Sequence, residues 1–512
     1  MRVANWGVSI PPPNVNPVPC DREDPACDPA THGATATWNG LSNIVWGSHV
    51  YYETSRVYND AHPNRTHTNP MDRPLALTKF AAGRHGHPTD GVHPAAHRFP
   101  VHWTGDSVSL STTVDDMLDS GVSSFMQYVH SDCGNHVNVG QDNATESDEA
   151  GDNIRWTALC TFSGIFRYHG GHHVPWRWGV TVEDSIRRYL NLRVQLLPSL
   201  VAAGHAASLT GWPLTARCDL HAPQCGIQAR KASTQFVFLN DTLVAPIDDQ
   251  AHGTELAGNV TTRTVWLPPG QWENAWTGAI VTANGCETSV NVSVPYEKIP
   301  LWHRAGGLTV LAASEPGLRT AEQDWSTLTL EAFPHAVNAW HDATGGTADE
   351  SVSNTQHMVT RRAVVERGVG GLRTELEMTT LSKDRVQVKI GASTGNATAA
   401  TNGQIERGWI VRLHLRPAQC VTHISLVEHG AIDSKFATTH VEVTHLAPLA
   451  NDDPELGNYM PFQGAGARPP PAAGHVAQLK LVPAVHARTL EFTLGYAASG
   501  SCGRSNSHVV PE

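Results

Sequence analysis

Arg98-Phe99-Pro100-Val101-His102-Trp103-Thr104-Gly105-Asp106 is the stretch on which the reading of the fold turns. Val101 to Trp103 is short and extended. It runs into Thr104-Gly105, where a backbone without a side chain lets a ligand approach, and it closes on a carboxylate. An acid at a strand end beside an indole suits carbohydrate chemistry. The ring packs on the apolar face of a pyranose, and an apolar wall raises a carboxyl pKa toward values at which it holds a transferable proton. An Asp after Gly is by itself more often a turn residue, so the block takes its meaning from its surroundings.

Upstream, Arg73 to Phe80 (RPLALTKF) reads as a buried strand ending in a Gly- and His-rich loop. Downstream, Ser120 to Val129 (SGVSSFMQYV) reads as a second strand running into the loop His130 to His136. Thr181 to Leu209 reads as one long helix. Thr181 and Asp184 form a capping-box-like start, and Ile186, Tyr189, Leu190, Leu197 and Leu200 share a face. From about Gly226 the pattern becomes short alternating runs, Thr262–Leu267, Ser289–Val294, Gly408–Leu415, Val476–Leu481 and Thr489–Leu494, broken by Pro-Pro-Gly and Asn-Gly turns. An α/β half followed by antiparallel β-sandwich structure is expected.

The 512 residues are 40% hydrophobic and 16% charged, with 15 Trp, 44 Gly and 33 Pro, a loop-rich globular composition with room for several cores. A net charge of −12 argues against nucleic acid as a partner and favours an uncharged substrate. No apolar run reaches the ~18–20 residues of a membrane span. Met1 to Pro13 lacks the apolar core of a signal peptide. Asn-x-Ser/Thr sequons at Asn64, Asn143, Asn240, Asn259, Asn291 and Asn396 nevertheless point to the secretory pathway. Among nine cysteines, the close pairs Cys20/Cys27 and Cys218/Cys225 are read as local disulfides, with one thiol left over. His169, His172 and His173 cluster, as do His85, His87, His93 and His97. With 29 His in the chain and no carboxylate or Cys at ligand spacing, neither a metal site nor any cofactor is expected. Trp176, Trp178 and Trp212 are candidates to line a sugar groove, against the commoner use of Trp in packing.

The order of these motifs resembles glycoside hydrolase family 31, the α-glucosidases and their relatives. Arg73-Pro74-Leu75-Ala76-Leu77-Thr78 resembles the family's fifth barrel strand, and the stretch ending at Asp106 resembles its acid-bearing segment. Ser131-Asp132-Cys133-Gly134-Asn135-His136 is similar to its sugar-contacting Asp-x-Gly-Gly loop, and Phe166-Arg167-Tyr168-His169 to its Phe-Arg-x-His segment. Leu192-Arg193-Val194-Gln195-Leu196-Leu197-Pro198, Asp241-Thr242-Leu243-Val244-Ala245-Pro246, the Trp266-to-Trp272 segment and Ile299 to Gly307 continue it in order. The resemblance covers roughly residues 40–312.

It implies the second half of a (β/α)₈ TIM barrel over 1–228, a proximal β-sandwich over 229–312 and a distal one over 313–512. Its implied activity is retaining hydrolysis of an α-glucoside-like carbohydrate, with Asp106 as acid/base and Trp103, Asp132, Arg167 and His169 binding substrate. The family's nucleophile lies in a Trp-x-Asp-type segment, where this sequence offers only Trp6-Gly7-Val8-Ser9. A chain cut off before its nucleophile and inactive by itself is therefore expected, the alternative being a glycan-binding homologue without catalysis. Lys79 replaces a substrate-contacting Arg common in the family, and Cys133 and Asn135 replace residues usually apolar and Gly.

Overall fold

The computed structural model describes residues 102–103, 110–123, 129–130, 133, 146–168, 176, 178–247, 260–295, 297–312, 323–334, 358–365, 373–382, 384–394, 407–416, 419–429, 443–446, 475–484 and 487–496. The expected strand Arg73–Phe80 lies outside them.

The first elements are β1 (His102–Trp103), α1 (Leu110–Ser123), β2 (Val129–His130) and α2 (Glu146–Thr161). β1 and β2 pair in parallel, His102 opposite Val129 and Trp103 opposite His130. Beyond α2 a parallel bridge joins Cys133 to Tyr168. Each parallel neighbour is reached through a helix, which is how parallel strands are connected. α1 buries Leu110, Val114, Met117 and Leu118, a 4-3-1 spacing that marks one helical face. This corrects the expected strand Ser120–Val129. Its first four residues close α1, and only Val129 enters β2. A Cβ on Gly121 would stand 3.1 Å from Cβ of Pro213, so the end of α1 seats closely on the chain at Pro213.

The long helix expected from Thr181 is two, α3 (Val180–Gln195) and α4 (Leu197–Thr210), joined at Leu196. Pro198 sits in the first turn of α4, where its missing N–H is no loss, but it cannot continue α3. The capping box does not form. α3 starts from Gly179 at φ 88 without a side-chain cap, and Asp184 bonds Arg187 at 2.6 Å instead.

A six-stranded sheet follows. Its order is β3-β4-β5-β10-β7-β8, made of β3 (Thr215–Arg217), β4 (Phe236–Phe238), β5 (Thr242–Val244), β7 (Gly270–Asn274), β8 (Ile280–Ala283) and β10 (Leu301–Arg304). β6 (Val260–Trp266) and β9 (Ser289–Pro295) form a separate ribbon. Strand alternation gives the sheet two apolar faces. Phe236, Phe238, Val244 and Leu301 pack with Phe162, Leu192 and Leu196 on the helical side. Val237, Leu243, Trp272 and Trp302 pack with Val265, Leu267 and Val292 on the ribbon side.

Two five-stranded sheets then face one another. One holds β11 (Leu308–Ala312), β12 (Thr327–Ala332), β16 (Arg407–Leu415), β19 (His475–Ala484) and β18 (Val443–Leu446). The other holds β13 (Met358–Val365), β14 (Arg373–Ser382), β15 (Arg385–Ile390), β20 (Ala487–Tyr496) and β17 (Gln419–His429). Leu328, Leu330, Val411, Leu413 and Leu479 of the first sheet share a core with Met378, Val388, Ile424, Leu490 and Phe492 of the second. The alternating runs read from sequence fall on β6, β9, β16, β19 and β20, with boundaries that differ by up to three residues.

Disulfides join Cys133 to Cys160 and Cys225 to Cys286, and Cys420 is also disulfide-bonded. This corrects the expected pair Cys218/Cys225. Cys218 is a free, buried thiol beside Gln235, while Cys225 faces the turn between β8 and β9. Burial pushes the Cys218 thiol up to about 12, so it packs as an apolar group. Cys20 and Cys27 lie outside the described residues.

Candidate active site

Three parallel segments end side by side. β1 ends at Trp103, three residues before Asp106; β2 ends at His130, two before Asp132; and Tyr168 immediately precedes His169. Parallel pairing puts like ends of strands along one edge, so β1, β2 and the Cys133–Tyr168 bridge bring three C-terminal strand ends together. Asp106, Asp132 and His169 themselves lie outside the described residues, as do Lys79, Asn135 and the histidine clusters. Trp103 is described as the last residue of β1, and Arg167 as a half-buried residue whose carbonyl accepts from the Cys133 amide at 2.8 Å.

The segment carrying Arg167 is braced from several sides. The Cys133–Cys160 disulfide ties the end of β2 to the last turn of α2. The Ser163 hydroxyl bonds the carbonyls of Cys160 and Ile165 at 2.8 and 2.7 Å. The Tyr168 and Thr157 hydroxyls meet at 2.7 Å, and burial raises the Tyr168 phenol well above its ordinary range despite that bond. The Phe166 and Tyr168 rings meet edge to face, their centroids 5.2 Å apart.

Arg193 of α3 is the brace that sequence reading quoted within a motif but gave no task. Its guanidinium donates to the carbonyls of Thr161 at 3.1 Å, Gly164 at 2.7 Å and Ser163. These are carbonyls that the end of a helix leaves without intrahelical partners, and a cation there also opposes the helix dipole. The Arg in the Leu-Arg-x-x-Leu-Leu-Pro run was the available signal. Its meaning required knowing that α3 packs beside the end of α2.

The remaining motifs resolve into packing. The indole N–H groups of Trp266, Trp272 and Trp276 donate to the carbonyls of Cys286, Pro268 and Ile299 at 2.7, 2.7 and 2.6 Å. Asp241 is buried and accepts from the Leu308 amide at 3.2 Å and from Arg304 at 3.3 Å. Gly307 admits no side chain, since a Cβ would lie 2.9 Å from the Arg304 carbonyl oxygen. Trp178 packs against the helical core, whereas Trp176 is 71% exposed. The Trp212 indole donates to Asn240 and meets the His221 ring edge to face at 5.5 Å.

A buried charged cluster joins the two β regions. His414 of β16 contacts Glu273 of β7 at 3.0 Å through Nδ1 and Glu331 of β12 at 2.8 Å through Nε2. Arg412 donates to Glu331 at 3.0 Å and to Gln478 at 2.8 Å. Burial alone lowers a histidine pKa, but Glu273 and Glu331 outweigh it and hold His414 up at about 9. Burial raises Glu331, yet Arg412 and His414 keep it below the ordinary carboxylate value. His303, stacked on Phe333 at 4.5 Å, is lowered to about 3 by burial and then by His414. Among the described residues no group of three His, Cys, Asp or Glu side chains is placed to hold a metal, and no helix is long and apolar enough to cross a membrane.

Parallel βα units thus run into an antiparallel sheet and a two-layer β-sandwich. Residues 51–203 match the "Glycosyl hydrolases family 31 TIM-barrel domain", and residues 220–308 match the "Glycosyl hydrolase family 31 C-terminal domain". Alpha-xylosidase 1 of Arabidopsis thaliana is 24% identical over 378 residues, 70% of this chain and 36% of the relative. A probable alpha-glucosidase of Oryza sativa is 23% identical, over 56% of this chain and 30% of its own length. A Flavobacterium johnsoniae GH31 dextranase structure superposes with a TM-score of 0.52 at 16% identity, covering 77% of this chain and 44% of the dextranase. A glucosidase II alpha subunit structure also reaches 0.52 at 16% identity, over 78% of this chain and 38% of the subunit. Residues 51–203 and 220–308 thus carry part of the TIM barrel and the C-terminal domain of glycoside hydrolase family 31. The chain spans about a third of the length of these two curated relatives.

Proposed function

We propose that the chain carries the acid/base side of a retaining α-glycosidase site, with Asp106 as acid/base and Trp103, Asp132, Arg167 and His169 around the sugar. The observation that carries this reading is the parallel register of β1, β2 and the Cys133–Tyr168 bridge, with Asp106, Asp132 and His169 following their ends within three residues. Asp106 would protonate the departing glycosidic oxygen and then deprotonate the water that opens the glycosyl-enzyme, with a second carboxylate ~5–5.5 Å away as nucleophile. The substrate class is an uncharged α-glucoside or α-xyloside. Residues 1–228, 229–312 and 313–512 are proposed as folding units, with β3 and β11 pairing across the two seams. The disulfides and the sequons support a secretory location, whether secreted, lysosomal or in the ER lumen.

A second reading, glycan binding without hydrolysis, is favoured by one observation. Trp6-Gly7-Val8-Ser9, the place nearest the family's nucleophile segment, holds no carboxylate. Turnover of a natural α-linked disaccharide by a protein that joins the family's nucleophile segment to this chain, compared with its Asp106→Ala variant, separates the two. Acid/base catalysis is worth about 10²–10⁴ in rate, and that loss is expected in the variant. Equal rates in both proteins would remove Asp106 from the role. Saturable sugar binding without turnover would establish the second reading.

A further inference from the structure

The β6–β9 ribbon has no part in the proposed chemistry, yet its outward face is unusual. Thr262 stands opposite Ser293, and Thr264 opposite Asn291. Val265 and Val292 turn into the core, while Thr262, Thr264, Ser289, Asn291 and Ser293 remain exposed. That row holds hydroxyls and one amide, with no charge. Arg263, between two of its members, turns instead to Thr234, donating to its hydroxyl at 2.8 Å and its carbonyl at 3.1 Å. Among the described residues β6 and β9 pair as strands only with each other, so each has an outer edge without a strand partner, that of β6 being held at Trp266 by the Gln235 side-chain amide, 3.1 Å from the Trp266 amide and 2.7 Å from its carbonyl. Soluble proteins guard such edges with charge, proline, a bulge or a cover.

Asn291-Val292-Ser293 is a sequon lying on this row. The Thr264 hydroxyl donates to Oδ1 of Asn291 at 2.7 Å, which orients the side chain and leaves Nδ2 without a hydrogen bond among the described residues. Ser293 pairs its hydroxyl with Thr262 at 2.9 Å. We propose that Asn291 is an N-glycosylation site whose oligosaccharide covers the ribbon. This rests on the proposed secretory location. In the step itself, Nδ2 bonds to the anomeric carbon of an oligosaccharide carried on a lipid diphosphate. The sugar–diphosphate bond breaks with its electron pair leaving on phosphate, and Nδ2 gives up one proton. Asn240 provides the contrast. It sits at φ 71 in the turn between β4 and β5, its Oδ1 takes the Trp212 indole N–H, and Thr242 of its sequon is buried with its hydroxyl 3.3 Å from His303.

The test is peptide mapping of the full chain made behind a heterologous secretion signal in a eukaryotic host, with enzymatic deglycosylation marking each occupied Asn as Asp. Asn291 is expected to be occupied in most molecules and more fully than Asn240. Asn291→Gln and Ser293→Ala should each lose the same single step of gel mobility, with unchanged circular dichroism. Secreted chain with an unmodified Asn291, or with Asn240 the more occupied, overturns the proposal. Mapping protein from its natural source tests the location separately. Unmodified sequons there, with Asn291 occupied in the host, refute the secretory reading and leave the acceptor site standing.

Discussion

The residues around β1 and β2 and those of the six-stranded sheet are both dense in recognisable motifs, but the motifs do different jobs. On the barrel side they follow in sequence the ends of two-residue parallel strands. In the sheet they lie inside. Trp272 is 2% exposed, Asp241 is 2% exposed, and the hydrogen bonds of each go to backbone or to a neighbouring Arg. The proposed function therefore assigns chemistry to the motifs that follow parallel strand ends, while those within the antiparallel sheet serve packing. Substitutions should separate the two groups by readout, rate for one and stability for the other.

The largest stability effect is expected at Glu331. It is 1% exposed and bonds both Arg412 and His414, so Glu331→Ala would leave two buried cations short of a counter-charge. Breaking a buried pair from one side costs about 3–5 kcal/mol. Chemical denaturation should show that loss, while sugar binding at saturating protein stability stays unchanged. A loss below about 1 kcal/mol would mean that water reaches the cluster.

The same cluster sets a pH dependence. The folded His414 pKa of about 9 stands above its ordinary 6.5, so its contribution is complete below 6.5 and disappears as pH rises through 9. His303 runs the opposite way. Its folded value of about 3 lies below 6.5, so its contribution is present above 6.5 and is lost as pH falls toward 3. Together they place the stability maximum near pH 6.5, and His414→Gln should flatten the alkaline limb and, because His414 helps to lower His303, soften the acid limb to a lesser degree. An unchanged melting profile between pH 7 and 9.5 in that variant would show that the pair does not control it.

How much of this was legible in the sequence differs between the same two regions. Motif order carried the fold, and strict alternation located β6, β9, β16, β19 and β20. The buried cluster was not legible, because Arg412 and His414 alternate with Val411 and Leu413 as solvent-facing residues would. They are buried because β16 lies inside its sheet, between β12 and β19, and its polar side is covered by Glu273 of β7. The strand expected at 120–129 failed because β-branched and aromatic residues there outweighed the helical spacing of Leu110, Val114, Met117 and Leu118 just upstream. The partner of Cys225 lies 61 residues away, and disulfide connectivity is not encoded in spacing.

Arg193 tests whether the barrel-side segment is held from outside. Arg193→Lys keeps the charge but cannot fork to three carbonyls, and charge-assisted hydrogen bonds of this kind are worth about 1.5–3 kcal/mol. The variant should lose stability at the lower end of that range and should weaken sugar binding as well, because the turn it anchors leads directly into Arg167. Glu331→Ala is expected to leave binding intact at matched folded fraction. Equal binding by Arg193→Lys and the parent would place Arg193 with the purely structural residues.

The smallest effect is expected at Arg187, on the solvent side of α3. Its guanidinium meets Glu183 at 2.5 Å and Asp184 at 2.6 Å, closer than most of the contacts in the buried cluster. Distance alone would therefore rank it first. Its side chain is 56% exposed, however, and its partners 35% and 43%, so water and salt screen the charges and three flexible side chains lose entropy when they pair. Arg187→Ala should cost less than about 1 kcal/mol, with no change in sugar binding, and the difference should shrink further in high salt. Glu331 would respond far less to salt, since its partners are buried with it. A cost at Arg187 approaching that at Glu331, or one insensitive to salt, would mean that exposure is the wrong measure for dividing the charged groups of this chain.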